Sequence, residues 1–306
     1  MSDIFTNEGL CYEYFINHKI KTRNELRSKL KDIPIPNVRQ TFIEEMFSNY
    51  KREIMEIKAK KDKKDKKDYT IICINDLHIP HHDNNVVKLV FSFIKEKQPD
   101  ELVLNGDILD CYWVSSFLKN PSSKVYLQDE CNTFYKLFSD LRKHLPNTII
   151  TFINGNHEDR ILKETWKNPA FYGIKELEIE KLLKFDKLKI NYRKNRYIFR
   201  DFLFTHGEMV SKHSSFTAKA EFERHKCRDG MSGHTHRLGC FHQSIDGFTT
   251  SWYENGCLCT LNPEYVKEVV NWQHAFSVIN FYGNLSFVQP ILIKEGKFIY
   301  EGVLYQ

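Results

Sequence analysis

The sequence predicts an α/β protein with parallel strands joined by crossover helices, preceded by a small helical N-terminal region. Three observations carry that prediction. Short apolar runs alternate with helical stretches from Tyr69 onward. A lysine-rich segment separates this part from what precedes it. The bulk composition, 306 residues with 41% hydrophobic and 28% charged side chains, suits one large domain, alone or with a small one, folded over most of its length.

Residues 1–57 read as helices. Thr22-Arg23-Asn24-Glu25 has the form of a capping box. Pro34 and Pro36 break the chain, and a longer helix follows with Phe42, Met46, Tyr50 and Ile54 on one face. Two readings of this region stand: packing or contact with a partner or a second copy, and a helix-turn-helix that docks on DNA. Residues 58–68 hold seven Lys and three Asp, which reads as a solvated linker or as an arm that touches nucleic acid. Residues 69–306 form the main domain. "YTIICIN", "ELVLNGD" and "TIITFINGN" are strands, with helices at "NNVVKLVFSFIKEKQ" and "DECNTFYKLFSDLRKHL". "RYIFRDFLFTHG" and "GMSGHTH" follow, and the C-terminal stretch alternates with turns at Tyr282-Gly283-Asn284 and Glu295-Gly296, the pattern of antiparallel hairpins.

The remaining global features exclude several classes. No apolar run approaches the ~18 residues of a membrane span. The first residues lack a basic stretch followed by an apolar one, so no signal peptide is expected and the expected location is the cytoplasm. The eight cysteines are scattered, with Cys257-Leu258-Cys259 the closest spacing, which fits reduced, unpaired thiols. The net charge of +5 is a mild bias that suits a phosphate-bearing partner.

The places where the strands stop carry the chemistry. They end in Asp76-Leu77-His78, in Gly106-Asp107 with Asp110 three residues on, in Gly155-Asn156-His157-Glu158, in Thr205-His206-Gly207, and in Gly233-His234-Thr235-His236. Singly, each is a weak signal with an ordinary turn or surface reading. In open α/β sheets, however, the ligand crevice lies beyond the carboxyl ends of the strands. Five such ends deliver Asp, Asn and His together, the donor set of divalent first-row cations, and no thiolate among them argues for a structural zinc.

This ordered set resembles the calcineurin-like metallophosphoesterases from about Tyr69 to the end of the chain. The resemblance implies a two-sheet β-sandwich flanked by helices, with a dinuclear metal site at its edge. It implies Asp76, His78 and His236 as ligands of one metal and Asn156, His206 and His234 as ligands of the other, with Asp107 bridging. His157 is implied as the catalytic histidine and Asp110 as the acid that orients it. The implied cofactors are two divalent ions, Mn²⁺ foremost, with Fe, Zn or Ni as alternatives. The implied activity is hydrolysis of a phosphoester by attack of a metal-bridging hydroxide.

The sequence departs from the protein-phosphatase branch of that family. Asp110 is followed by Cys111-Tyr112 instead of Arg-Gly, and His206-Gly207 by Glu208. The final Gly-His-Thr-His has the form of the phosphodiesterase and nuclease branch. The expectation is therefore a phosphodiesterase acting on nucleic acid or nucleotides, with DNA or a nucleotide as partner, similar in general plan to the DNA-repair exonucleases of the superfamily and to bacteriophage-type members. The alternatives are a phosphomonoesterase for a small molecule or phosphoprotein, and a catalytically silent binding scaffold. Arg160 and Arg237 lie just beyond motif residues and read either as substrate contacts or as plain surface. Tyr112, Trp113 and Phe117 read as a pocket wall that stacks on a base or as packing on the next helix. Arg224, Lys226 and Arg228 read as a basic stretch facing phosphates, and His81 and His82 as solvent-facing loop residues or, for one of them, a substrate contact.

Overall fold

The run Ile71–Ile74 has no exposed residue, as a strand covered on both faces requires. Its side chains alternate between two apolar layers: Ile72 and Ile74 join a cluster under helices, while Ile71 and Cys73 join a cluster against a second sheet. The computed structural model describes residues 68–262 and 270–306. The expectations for 1–57, and for 58–68 apart from Asp68, lie outside the described residues.

The first sheet contains β1 (Tyr69–Ile74), β2 (Glu101–Asn105), β3 (Ile149–Ile153) and β4 (Ile190–Arg193), all parallel. The long hairpin of β10 (Ala275–Tyr282) and β11 (Leu285–Leu292) is added antiparallel to β1, so the spatial order is β11-β10-β1-β2-β3-β4. Helices α1 (Asn84–Lys97) and α2 (Leu127–His144) make the crossovers expected from the sequence. Helix α1 starts where Asp83 Oδ1 accepts the N–H groups of Asn85 and Val86 at 3.0 Å each. It buries Val86, Val87, Val90, Phe91 and Ile94, one stripe at helical spacing, and closes with Lys95 and Lys97 at the negative end of its dipole.

The second sheet has the order β5-β6-β7-β9-β8. Its strands are β5 (Arg196–Phe199), β6 (Phe202–Thr205), β7 (Gly230–Ser232), β8 (Leu238–Ile245) and β9 (Phe248–Asn255). Phe202, Phe204 and Met231 from this sheet meet Ile71, Val103, Ile153, Ile279 and Phe281 from the first. Leu203 and Trp252 face the other way, against Ala218 and Phe222 of a helix over Phe216–Arg224. The result is four layers, helix, sheet, sheet and helix, the two-sheet sandwich implied by the resemblance. The expected C-terminal hairpins are present, with a short pair, Phe298–Tyr300 and Val303–Tyr305, at the end. The seven cysteines among the described residues are unpaired.

Candidate metal centre

Asp76, Asp107, Asn156, His206 and His234 each lie within three residues of the end of a strand, β1, β2, β3, β6 and β7 respectively. Strands β1 to β3 are parallel in one sheet and β6 and β7 are parallel in the other, so their carboxyl ends can share an edge. The turns that follow are unusual. Asp76, His78, Asp107, His234 and His236 all adopt positive φ, between 48° and 69°, without being glycine. Such a conformation costs on the order of 1 kcal/mol or more per residue. It is held by backbone bonds: Asp76 N–H donates to Gly106 O, His78 N–H to Asp107 O, and Gln273 N–H to His236 O, at 3.0, 3.0 and 2.9 Å. Gly106, at φ 85°, is needed because a Cβ there would lie 2.5 Å from the His206 ring.

Two acceptor clusters result. Asp76 Oδ1 lies 3.1 Å from His236 Nε2 and 3.6 Å from His78 Nε2, and the two imidazole nitrogens are 3.0 Å apart. Asp107 Oδ2 lies 3.1 Å from His206 Nε2, with His234 completing that group. The same oxygen is 3.9 Å from His78 Nε2, so Asp107 stands between the clusters. Outward partners set the tautomers. His206 Nδ1 faces the Asn105 carbonyl at 3.0 Å and His78 Nδ1 faces Asp110 Oδ1 at 3.2 Å. Both partners only accept, so these Nδ1 atoms each carry a proton, and Nε2 is the nitrogen left facing the cluster.

Electrostatics follow from packing carboxylates among imidazoles out of water. Burial pushes Asp76 and Asp107 upward, but the neighbouring histidines win and hold both carboxyls well below the usual range. In return, although burial opposes its charge, Asp107 and Asp76 raise His206 to about 10, and Asp76 raises His236 to about 9. Burial and His206 lower His234.

His157 stands beside the clusters, its ring 4.4 Å from that of His78 and its Nε2 3.7 Å from Asp107 Oδ2. Its Nδ1 lies 2.7 Å from the backbone carbonyl of Asp110, and 3.4 Å from Oδ1 of the same residue. Asp110 therefore touches His157 mainly through its main chain, while its carboxylate is shared with His78; burial raises this carboxyl, and His157 and His78 more than reverse that. Arg160 Nη2 is 2.8 Å from His157 Nε2, and Nη1 donates to Asp110 O at 2.9 Å. A guanidinium only donates, so His157 is protonated on Nδ1 and offers its Nε2 lone pair to Arg160.

Three contributors escaped the sequence reading. Glu158, 1% exposed, accepts four backbone N–H groups: Ile108 and Leu109 on Oε1, Asp107 and Gly155 on Oε2, at 2.8–3.0 Å. It ties the Asp107 loop to the Asn156 loop. The signal was a carboxylate inside Gly155-Asn156-His157-Glu158, quoted without a role. Cys259 Sγ lies 3.9 Å from His236 Nδ1, and Trp272 packs edge-on to the His236 ring at 4.3 Å; no spacing rule links these residues. Other expectations change. His82 is buried, 7% exposed, rather than solvent-facing, because its strand bridge to Cys259 folds it inward. Trp113 stacks on Tyr126 beside α2, the packing reading. Arg237 Nη1 is spent on Ser211 O, and Arg224 on Glu208, each at under 3 Å.

A model of the calcineurin-like phosphoesterase family matches residues 69–278. The chain belongs to this family.

Its relatives include the Gene 54 proteins of Mycobacterium phages D29 and L5. They are 28% and 25% identical over 257 and 252 residues, covering 77% of this chain and 98% of each relative. Solved structures that align with it include Vps29 of Chaetomium thermophilum, at 11% identity and TM-score 0.44 over 78% of this chain and 98% of that one. Another is Yfce, a phosphoesterase from E. coli, at 12% identity and TM-score 0.34 over 69% and 90%.

Calcineurin-like phosphoesterases are hydrolases that bind divalent metal ions, and the residues here fit such ions. Asn156 Oδ1 is buried without a hydrogen-bond partner, a costly state for the amide oxygen unless a cation meets it. Asp76 Oδ1 and His206 Nε2 face their cluster partners, His236 Nε2 and Asp107 Oδ2, at 3.1 Å each. Two facing imidazole nitrogens beside a carboxylate are a cation's surroundings. No helix among the described residues is long and apolar enough to cross a membrane.

Proposed function

We propose that the chain is a metal-dependent phosphodiesterase that hydrolyses nucleic acid or nucleotide phosphodiesters with two divalent cations, Mn²⁺ foremost. The observation that carries this reading is the pair of acceptor clusters meeting at Asp107 Oδ2. Asp76, His78 and His236 would hold one cation, Asn156, His206 and His234 the other, and Asp107 both. Bound there, such a pair supplies a nucleophile at neutral pH and neutralises charge growing on the phosphoryl oxygens.

The chain's own residues do the rest. Asn105 O and Asp110 Oδ1 fix the rings of His206 and His78, and Glu158 fixes the loop bearing Asp107. His157 is the catalytic histidine. When the substrate phosphate draws Arg160 onto itself, Nε2 of His157 is released to carry a proton. Asp110, through its carbonyl and carboxylate, supports the resulting imidazolium, which donates that proton to the leaving oxygen. Arg160 is the cation nearest this step.

Support for a diester comes from the segment after Asp110. Cys111 is buried and gives its N–H to Glu130, and Tyr112 Oη is bound by Asn120 N–H. Neither of these two positions is an arginine, unlike the Arg-Gly of the protein-phosphatase branch. The test is hydrolysis by the Mn²⁺-loaded protein of bis-p-nitrophenyl phosphate, p-nitrophenyl phosphate, single-stranded DNA and cyclic nucleotides. Diesters are expected to be cleaved; turnover of the monoester alone would remove the reading.

A further inference from the structure

The turn between β4 and β5 has a position that its sequence, Arg193-Lys194-Asn195-Arg196, does not announce. Strand β4 is the last of the first sheet and runs parallel to β3, with Arg193 opposite Ile153 and its carbonyl accepting Asn154 N–H at 3.2 Å. Strand β5 begins the second sheet antiparallel to β6, with Arg196 opposite Thr205. Lys194 and Asn195 therefore step from one sheet to the other at the end of the sandwich where β3 delivers Asn156 and β6 delivers His206. A cavity of roughly 390 Å³ is lined by Asn156 and His206 together with Lys194 and Arg196.

Two acids also line this cavity. Glu208 Oε2 is paired with Arg224 at 2.6 Å, whereas Asp159 Oδ1 accepts only from the neutral Asn154 Nδ2 at 3.1 Å and keeps its charge, so two cations stand against one unpaired carboxylate. Lys194 and Arg196 are exposed and make no ion pair among the described residues. Basic turns are common on surfaces. This one opens into the same cavity as Asn156 and His206, a cavity that Arg160 does not line.

We propose that Lys194 and Arg196 form a second phosphate-binding subsite that holds a phosphate of the substrate other than the one cleaved. The enzyme then prefers a polynucleotide strand to a compact ester. This inference rests on the phosphodiesterase reading and deepens it. Cationic side chains aimed at backbone phosphates release counterions, so their contribution falls with salt.

The test compares wild type with the Lys194→Gln/Arg196→Gln protein, both Mn²⁺-loaded, on a ten-residue oligothymidylate and on bis-p-nitrophenyl phosphate, which has no second phosphate. The ratio of kcat/KM for the oligonucleotide to that for the small diester is expected to fall about tenfold, mostly through KM. The dependence of log KM on log salt should flatten by about 1 to 2 in slope. Lys194→Arg/Arg196→Lys should restore both. An unchanged ratio and an unchanged salt slope would overturn the subsite while leaving the phosphodiesterase reading intact. Should wild type cleave no diester, that reading fails by itself. The subsite is then decided by fluorescence anisotropy with the labelled oligonucleotide, where tenfold weaker binding by the glutamine variant supports it and equal binding overturns it.

Discussion

Glu158→Gln is a substitution of one atom at the centre of the site's scaffold. The carboxylate accepts two N–H groups on each oxygen, all within 3.0 Å and out of water. Glutamine keeps one oxygen and turns an NH₂ toward the other two donors. Two hydrogen bonds to a charged acceptor are lost, at about 1.5–3 kcal/mol each, or roughly 3–6 kcal/mol together. Part of this is offset. Burial and the nearby Asp107 push the Glu158 carboxyl upward, so the wild type spends free energy to keep it ionised, and the variant does not. A net loss of about 2–4 kcal/mol remains, a large share of a domain's stability of about 5–15 kcal/mol. In a domain of this size it lowers Tm by roughly 5–12 °C. Because the same bonds hold the Asp107 and Asn156 loops, Mn²⁺ affinity should fall as well. Urea denaturation with and without Mn²⁺ measures both. A loss under about 1 kcal/mol with unchanged metal affinity would refute the claim that this carboxylate organises the two loops.

His157→Ala should keep its metal content, read by elemental analysis, while kcat falls about 10²–10⁴-fold; equal loss of metal would contradict its role beside the clusters. Gly155→Ala should lose metal binding, since a Cβ there collides with Asp107 N and Oδ1. A normally loaded variant, measured by Mn²⁺ titration, would show that the collision is relieved. Glu130 provides a pH test. Burial raises its carboxyl to about 8 although it accepts the Cys111 N–H at 2.7 Å. A raised acid contributes stability that is complete below its unfolded value near 4.5 and is lost as pH rises through about 8. Wild-type stability should therefore fall relative to Glu130→Gln between pH 5.5 and 8.5, by at most about 4 kcal/mol. Parallel urea-denaturation profiles for the two proteins would sink that account.

Asp246-Gly247 is a two-residue hairpin signal between β8 and β9 that was present in the sequence and went unused. Both residues have positive φ, 51° and 79°. Strand β8 is the exposed edge of its sheet, and β9, paired on both sides, is buried only over its second half, so period-2 patterning beside the turn is faint. Strand β4 was missed for a related reason: "INYR" is four residues long, at a sheet edge, with only Ile190 fully buried.

By itself the sequence determined the candidate ligands and the order in which they occur, because Asp76, Asp107, Asn156, His206 and His234 follow closely on strand ends. It also determined the parallel β-α-β series, since β1 to β3 are buried on both faces and read as continuous apolar runs. Only the tertiary structure decided which oxygen lies between the two clusters, that Asp110 serves two histidines, that Glu158 ties two loops, and that a basic turn closes the same cavity. Those facts depend on distances between strands of different sheets and on left-handed turns that no local pattern encodes, since the hydrogen bonds that hold them, such as Leu258 N–H to Asp76 O, come from residues distant in the chain.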